Sequence, residues 1–204
     1  MRKTKKFIYL ISPSKISSLD FYKNLEKLFR TKKIFFFQLR LKKEKRKNII
    51  NIAKRIKKLT KKYKIKFIIN DDPNIAIKLN LDGCHIGQKD YNIKNARKIL
   101  KNKILGITCH NSVKLSHKAI DKGANYIALG SFFSSKTKKA KFRANFNTLK
   151  KVKKIATVPI IAIGGINNKN YKKLLLNKAN FLAISSYIWK NKILTPVEAL
   201  KKIK

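Results

Sequence analysis

Short runs of apolar, β-branched and aromatic residues alternate with longer lysine-rich segments from one end of this 204-residue chain to the other. The runs are Phe7 to Ser12, Ile34 to Arg40, Lys66 to Asp71, Gly83 to Gly87, Ile104 to His110, Tyr126 to Ser131, Pro159 to Gly165 and Phe181 to Ser186. The segments between them carry helical spacing, clearest at Ile49, Ile52, Ala53, Ile56, Leu59 and Tyr63, where apolar residues recur every three or four positions. Capping residues stand where helices should start: Asp72 before Pro73, Asn111-Ser112, and Asn167. Eight strand-then-helix units in 204 residues average about 25 residues each, which suffices for a parallel (β/α)8 TIM barrel. The expectation is therefore an α/β fold with residues 1–204 forming one catalytic domain. No linker or low-complexity spacer divides the chain, and 23.6 kDa suits one well-buried core.

The charge is extreme, with 52 Lys+Arg against 9 Asp+Glu. Clustered cations on one face would suggest nucleic acid. Here only seven of the 52 are Arg, the residue suited to forked phosphate and base recognition, and the lysines cover every expected helix surface. Pairs such as Lys57-Lys58, Lys61-Lys62, Lys153-Lys154 and Lys172-Lys173 read as a solvated surface, and no specific nucleic-acid partner is expected. No apolar run is long enough to cross a membrane, and Phe7 to Ser12 is too short for a secretory core, so a cytoplasmic enzyme is expected. Cys84 and Cys109 lack metal-binding or redox spacing and suit a reducing compartment.

A barrel of this kind carries its chemistry at the C-terminal ends of its strands. Those ends hold Gln38 and Arg40 with Lys42 just beyond, Asn70 and Asp71, Gln88 and Asp90, Thr108 and His110, the stretch Ser131 to Lys138, Gly164 and Gly165, and Ser185 and Ser186. Four of the nine acidic residues fall within positions 71 to 90, where even spreading would put about one. Asp82 precedes its strand and Asp72 is placed as a cap, which leaves Asp71 and Asp90 as a pair fit to hold a divalent metal. The Gly164-Gly165 turn reads alone as a tight turn, but Ser185-Ser186 on the next strand makes the two together a phosphate cradle. Arg40 and Lys42, two positions apart, project on one side and form a second phosphate clamp. Adjacent residues of a strand face opposite ways, so Cys84 with His85 and Cys109 with His110 do not converge on one zinc ion. His110 remains available for proton transfer at the rim, and His117 falls on a helix.

The segments QLRLK (Gln38 to Lys42), IINDD (Ile68 to Asp72), LDGCHIGQKD (Leu81 to Asp90), LGITCH (Leu105 to His110), GANYIALGSFFSSKTK (Gly123 to Lys138), PIIAIGGI (Pro159 to Ile166) and FLAISS (Phe181 to Ser186) together resemble the thiamine phosphate synthase family. The resemblance implies a barrel transferase that joins hydroxymethylpyrimidine diphosphate to a thiazole phosphate, using Mg²⁺ and releasing pyrophosphate. It implies that the pyrimidine diphosphate is held by the run Gln38, Leu39, Arg40, Leu41 and Lys42 with Asn70, Thr108 and Lys138. Arg40, Lys42 and Lys138 would act on the leaving diphosphate, and Asp71 and Asp90 would hold the magnesium. Ser135, Lys136 and Thr137 would meet the thiazole phosphate, with Gly165, Ser185 and Ser186 opposite. The chain departs from the family pattern at Leu41, which replaces a glutamate, at Thr108, which replaces a serine, and at Ser134-Ser135, which replace Pro-Thr.

A related thiazole tautomerase is the nearest alternative; it would need a proton-transfer group such as His110 but no metal pair. A basic nucleic-acid-binding protein is the alternative of a different class, separable by salt-sensitive RNA binding. The expected partners are small-molecule substrates and a second copy of the chain.

Overall fold

The computed structural model describes residues 6–134 and 142–204. Eight strands alternate with helices in chain order: β1 (Ile8–Ile11), α1 (Leu19–Arg30), β2 (Ile34–Leu39), α2 (Arg46–Lys62), β3 (Lys66–Asn70), α3 (Pro73–Lys78), β4 (Gly83–Ile86) and α4 (Ile93–Leu100) come first. They are followed by β5 (Ile104–His110), α5 (Val113–Asp121), β6 (Tyr126–Gly130), α6 (Phe146–Ile155), β7 (Ile160–Ile163), α7 (Tyr171–Leu176), β8 (Phe181–Ile184), α8 (Ser186–Trp189) and α9 (Pro196–Lys201). Neighbouring strands pair in parallel, and β1 pairs with β8, closing the sheet into the expected (β/α)8 barrel.

Strand alternation divides the apolar residues into two cores. Tyr9, Ile11, Phe36, Ile68, Tyr126, Ala128, Ile161 and Ala183 face inward and fill the barrel. Their neighbours Ile8, Leu10, Phe37, Leu39, Phe67, Ile69, Cys84 and Cys109 face outward into the layer beneath the helices. Because the side-chain period is two, one slip of register would exchange the two sets. Laterally paired inward residues, such as Tyr9 with Phe36, Gln38 with Ile68 and Ala128 with Ile161, hold the register.

Helix α2 shows how the outer layer is built. Ala53 and Ile56 are fully buried on its inner face, while the outward positions are lysine-rich and its last turn carries Lys61 and Lys62, which favour the helix C-terminus. Truncating Ile56 to Ala would cost about 2–5 kcal/mol through the cavity left behind.

Asp72 caps α3, accepting hydrogen bonds from the Asn74 and Ile75 N–H groups, with Pro73 in the first turn. Ser112 caps α5 through the Leu115 N–H. The expected cap at Asn167 is displaced: the helix begins at Tyr171 after Asn170, and Asn167 accepts from the Lys169 N–H within the preceding turn. The short side chain serves a local turn there, which competes with helix initiation. Asp82 ties the N-terminal end of the barrel, accepting from the Phe67 N–H at 2.9 Å and from Lys66 Nζ at 3.0 Å. No helix among the described residues is long and apolar enough to cross a membrane.

Candidate active site

The C-terminal mouth of the barrel gathers three charged groups from segments that follow three different strands. Lys42, just past β2, places Nζ 3.1 Å from Asp71 Oδ2 and 3.6 Å from Asp90 Oδ1. Asp71, one residue past β3, has φ of +66°, and its N–H donates to the His85 carbonyl at 2.8 Å. Aspartate tolerates this left-handed conformation better than most residues, and it turns the carboxylate across the mouth. Asp90, in the loop after β4, accepts a 2.8 Å hydrogen bond from the Gly87 N–H. A Cβ at Gly87 would lie 2.5 Å from Asp90 Oδ2 and would push the carboxylate aside.

The two carboxylates titrate apart. Burial and the hydrogen bond with Asp90 raise the Asp71 pKa above the ordinary range, against the opposing pull of Lys42. Burial also disfavours charge on Asp90, but the hydrogen bonds with Asp71 and the Gly87 N–H, together with Lys42, outweigh it and leave its pKa lowered. A pair of this kind binds a cation in preference to two separate charges, and here the Lys42 ammonium occupies that place. The donor set suits Mg²⁺, which takes one or two carboxylates and completes its shell with water and phosphate oxygens. Among the described residues no group of three or more His, Cys, Asp or Glu gathers into a denser metal centre.

Beneath this charged mouth lies a polar chain that the sequence reading missed. Gln38 is buried and donates through Nε2 to Tyr9 Oη at 3.1 Å, and Tyr9 Oη lies 2.7 Å from Tyr126 Oη. Tyr126 Oη is 3.0 Å from His85 Nδ1, and His85 Nε2 is 2.8 Å from Thr108 Oγ1. Gly106 pairs with both His85 and Tyr126, so the inward wall between them carries no side chain and the two rings stack at 5.6 Å. The signal available in the sequence was the inward period of His85, Tyr126 and Gly106, each two residues from another inward position.

The remaining wall is built from β1, β7 and β8. Ser12 Oγ accepts from the Arg40 N–H at 2.9 Å, and its carbonyl accepts from Ser185 Oγ at 3.1 Å, which joins the two candidate phosphate clamps. Gly164 and Gly165 have φ of +106° and +61°, and a Cβ on Gly165 would lie 2.3 Å from the Ser134 carbonyl. The stem of the strand-six loop is tied to this turn, the Phe132 and Phe133 N–H groups donating to the Ile163 and Gly164 carbonyls at 3.1 Å. His110 stacks on Phe142 with centroids 4.4 Å apart, at the rim. Asn70 is half-buried beside Asp71, and Ser186 opens α8. Leu39 and Leu41 turn their side chains into the buried helix-side layer, so only their backbone faces the mouth. Ser135, Lys136, Thr137 and Lys138 lie outside the described residues. His117 sits on α5, away from the mouth, where it pairs with Asp121.

Residues 8–188 match the family profile described as thiamine monophosphate synthase, TMP-TENI. The chain belongs to that family. It is an enzyme of the transferase kind, 60% identical over 200 residues to the thiamine-phosphate synthase of Pelagibacter ubique (strain HTCC1062), covering 98% of this chain and 97% of that one. It is 36% identical over 185 residues to the thiamine-phosphate synthase of Clostridioides difficile (strain 630), covering 90% of this chain and 87% of the relative. Among solved structures, the thiamine phosphate pyrophosphorylase from Pyrococcus furiosus superposes with a TM-score of 0.86 at 24% identity, over 98% of this chain and 94% of that one. A 3-hexulose-6-phosphate synthase shares the barrel at a TM-score of 0.69 and 16% identity, over 96% of this chain and 98% of that one, a likeness of fold alone.

Proposed function

We propose that this family member joins hydroxymethylpyrimidine diphosphate to a thiazole phosphate, giving thiamine phosphate and pyrophosphate. The observation that carries this reading is the meeting of Lys42, Asp71 and Asp90 at the C-terminal mouth of the barrel.

In this reading the bond between the pyrimidine methylene carbon and the diphosphate oxygen breaks, and its electron pair leaves with the diphosphate. The thiazole nitrogen lone pair then forms the new C–N bond. Arg40, Lys42 and Lys138 stabilise the charge that grows on the departing group. Asp71 and Asp90 hold the magnesium, which when bound neutralises negative charge on the diphosphate. Gln38, Asn70 and Thr108 hold the pyrimidine, and the backbone before Leu39 and Leu41 lines the same cleft. Ser135, Lys136 and Thr137 with Gly165, Ser185 and Ser186 hold the thiazole phosphate, so that its nitrogen is kept close to the forming cation. No strong base is required, which is consistent with a mouth built from cations, carboxylates and amides.

The test is incubation of purified protein with both substrates, with and without Mg²⁺, followed by assay of thiamine phosphate and pyrophosphate. Equal amounts of both products, dependent on Mg²⁺, are expected. Isomerised thiazole phosphate with no coupled product would replace this reading by the tautomerase. We place the enzyme in the cytoplasm, where the reduced state of its two buried cysteines is maintained.

A further inference from the structure

The chain Gln38, Tyr9, Tyr126, His85 and Thr108 crosses the barrel as five side chains joined by four hydrogen bonds of 3.1, 2.7, 3.0 and 2.8 Å. The hydroxyls of Tyr9 and Tyr126 and the ring of His85 are buried, so each of their hydrogens needs an acceptor within the chain. Counting those hydrogens determines their direction. Gln38 turns its amide nitrogen to Tyr9, so the first bond is donated by Gln38. Among the described residues the Tyr9 hydroxyl then has only Tyr126 to donate to. Tyr126, already an acceptor from Tyr9, must give its own hydrogen to His85 Nδ1. That nitrogen is thereby unprotonated, and the ring hydrogen sits on Nε2, donated to Thr108 Oγ1. A ring protonated on Nδ1, or on both nitrogens, would turn Tyr126 back toward Tyr9 and orphan the buried Tyr9 hydrogen.

We infer that this chain is a one-way relay that couples the amide of Gln38 to the hydroxyl of Thr108, so that the mouth is offered an acceptor, Gln38 Oε1, at one end and a donor, the Thr108 O–H, at the other. The pair matches a nitrogen heteroaromatic ring that carries a donor substituent and an accepting ring nitrogen. In this scheme Tyr9, Tyr126 and His85 are positioning residues: they act on a ligand only through Gln38 and Thr108. The assignment of the ligand rests on the pyrimidine reading above, whereas the direction of the relay is a property of the free protein.

The experiment reads the tautomer of His85 from the ¹⁵N chemical shifts of the imidazole ring in the full-length, substrate-free protein at about pH 8. The other two ring signals are assigned by their loss in His110→Asn and His117→Asn. The Nε2–H form is expected in at least ~10-fold excess, as one orphaned buried donor would require. Gln38→Leu should keep that tautomer, because Tyr9 still has only Tyr126 as acceptor. Gln38→Glu should switch it to Nδ1–H: the new carboxylate only accepts, so the Tyr9 hydrogen turns to it, and all four hydrogen bonds are kept only if the other donations in the chain reverse as well. Adding Tyr126→Phe to Gln38→Glu cuts the chain and should abolish the switch. An Nδ1–H ring in the native protein, an unchanged ring in Gln38→Glu, or a switch that survives Tyr126→Phe would each overturn the relay. None of these outcomes depends on whether thiamine phosphate is made, so a failure here and a failure of the synthase assay are distinguishable.

Discussion

Lys42 reaches Asp71 at 3.1 Å across the mouth of the barrel, linking the segment after β2 to the segment after β3. In a chain with 52 basic residues a single lysine ion pair carries little information; this one matters because the same ammonium also lies 3.6 Å from Asp90. Two carboxylates that share one cation are arranged for a cation, and removing either leaves half a site.

Asp71→Asn and Asp90→Asn should therefore each lower turnover at least ~100-fold at limiting Mg²⁺, with the fold retained. Initial rates across a magnesium titration check this. Turnover near the native value in both variants at limiting metal would remove the metal assignment.

Acid should weaken the fold through His85. Burial, with the nearby charges of Arg40 and Lys42, lowers its pKa to about 4 against the opposing influence of Asp90. The unfolded chain, near the ordinary value of about 6.5, binds more protons than the folded one in this interval. The stability supplied by neutral His85 is thus fully present above about pH 6.5 and is lost as pH falls toward 4, with a slope approaching ~1.4 kcal/mol per pH unit. Urea unfolding at several pH values should show a shallower acid loss in His85→Gln than in the native protein; an identical slope would refute the contribution.

Gly106→Ala should destabilise the barrel by about 1–3 kcal/mol, the range for overpacking a closed core. A Cβ at Gly106 would lie 1.9 Å from Tyr126 Cζ and 2.2 Å from its hydroxyl, a contact that only movement of the buried ring relieves. The expected signature in urea is a lower midpoint at an unchanged slope. A midpoint equal to that of the native protein would show that the ring is free to shift.

Lys138 and Ser135 should separate kinetically although they are three positions apart. Lys138 is assigned to the diphosphate, whose charge grows as the bond breaks, so Lys138→Ala should mainly depress kcat, by about 2–4 kcal/mol of barrier. Ser135 is assigned to the thiazole phosphate, whose charge hardly changes, so Ser135→Ala should mainly raise that substrate's KM, by roughly tenfold. Steady-state kinetics with each substrate varied in turn reads both. A Lys138→Ala effect confined to the thiazole KM would mean that the loop assignments are out of register.

Much of the architecture follows from nearest-neighbour rules that a sequence displays directly. Alternation put Arg40 and Lys42 on one side of the chain, and the structure shows Lys42 at the mouth with the intervening Leu41 buried beneath the helices. The same rules recognised Asp72 as a cap and Asp82 as a structural carboxylate. They failed at Asn167, where a turn and a helix start make the same demand on an asparagine and only the surrounding backbone chooses between them. The polar chain was beyond them altogether. Tyr9 and Tyr126 are 117 positions apart and His85 is 41 from Tyr126, and each looks in isolation like one more apolar or rim residue. Burial period and helix spacing are set by residues close along the chain, so the sequence alone determined the alternation of strands and helices that forms the barrel. Which inward groups then touch depends on the closure of β1 against β8 and the absence of a side chain at Gly106, and that only the tertiary structure decided.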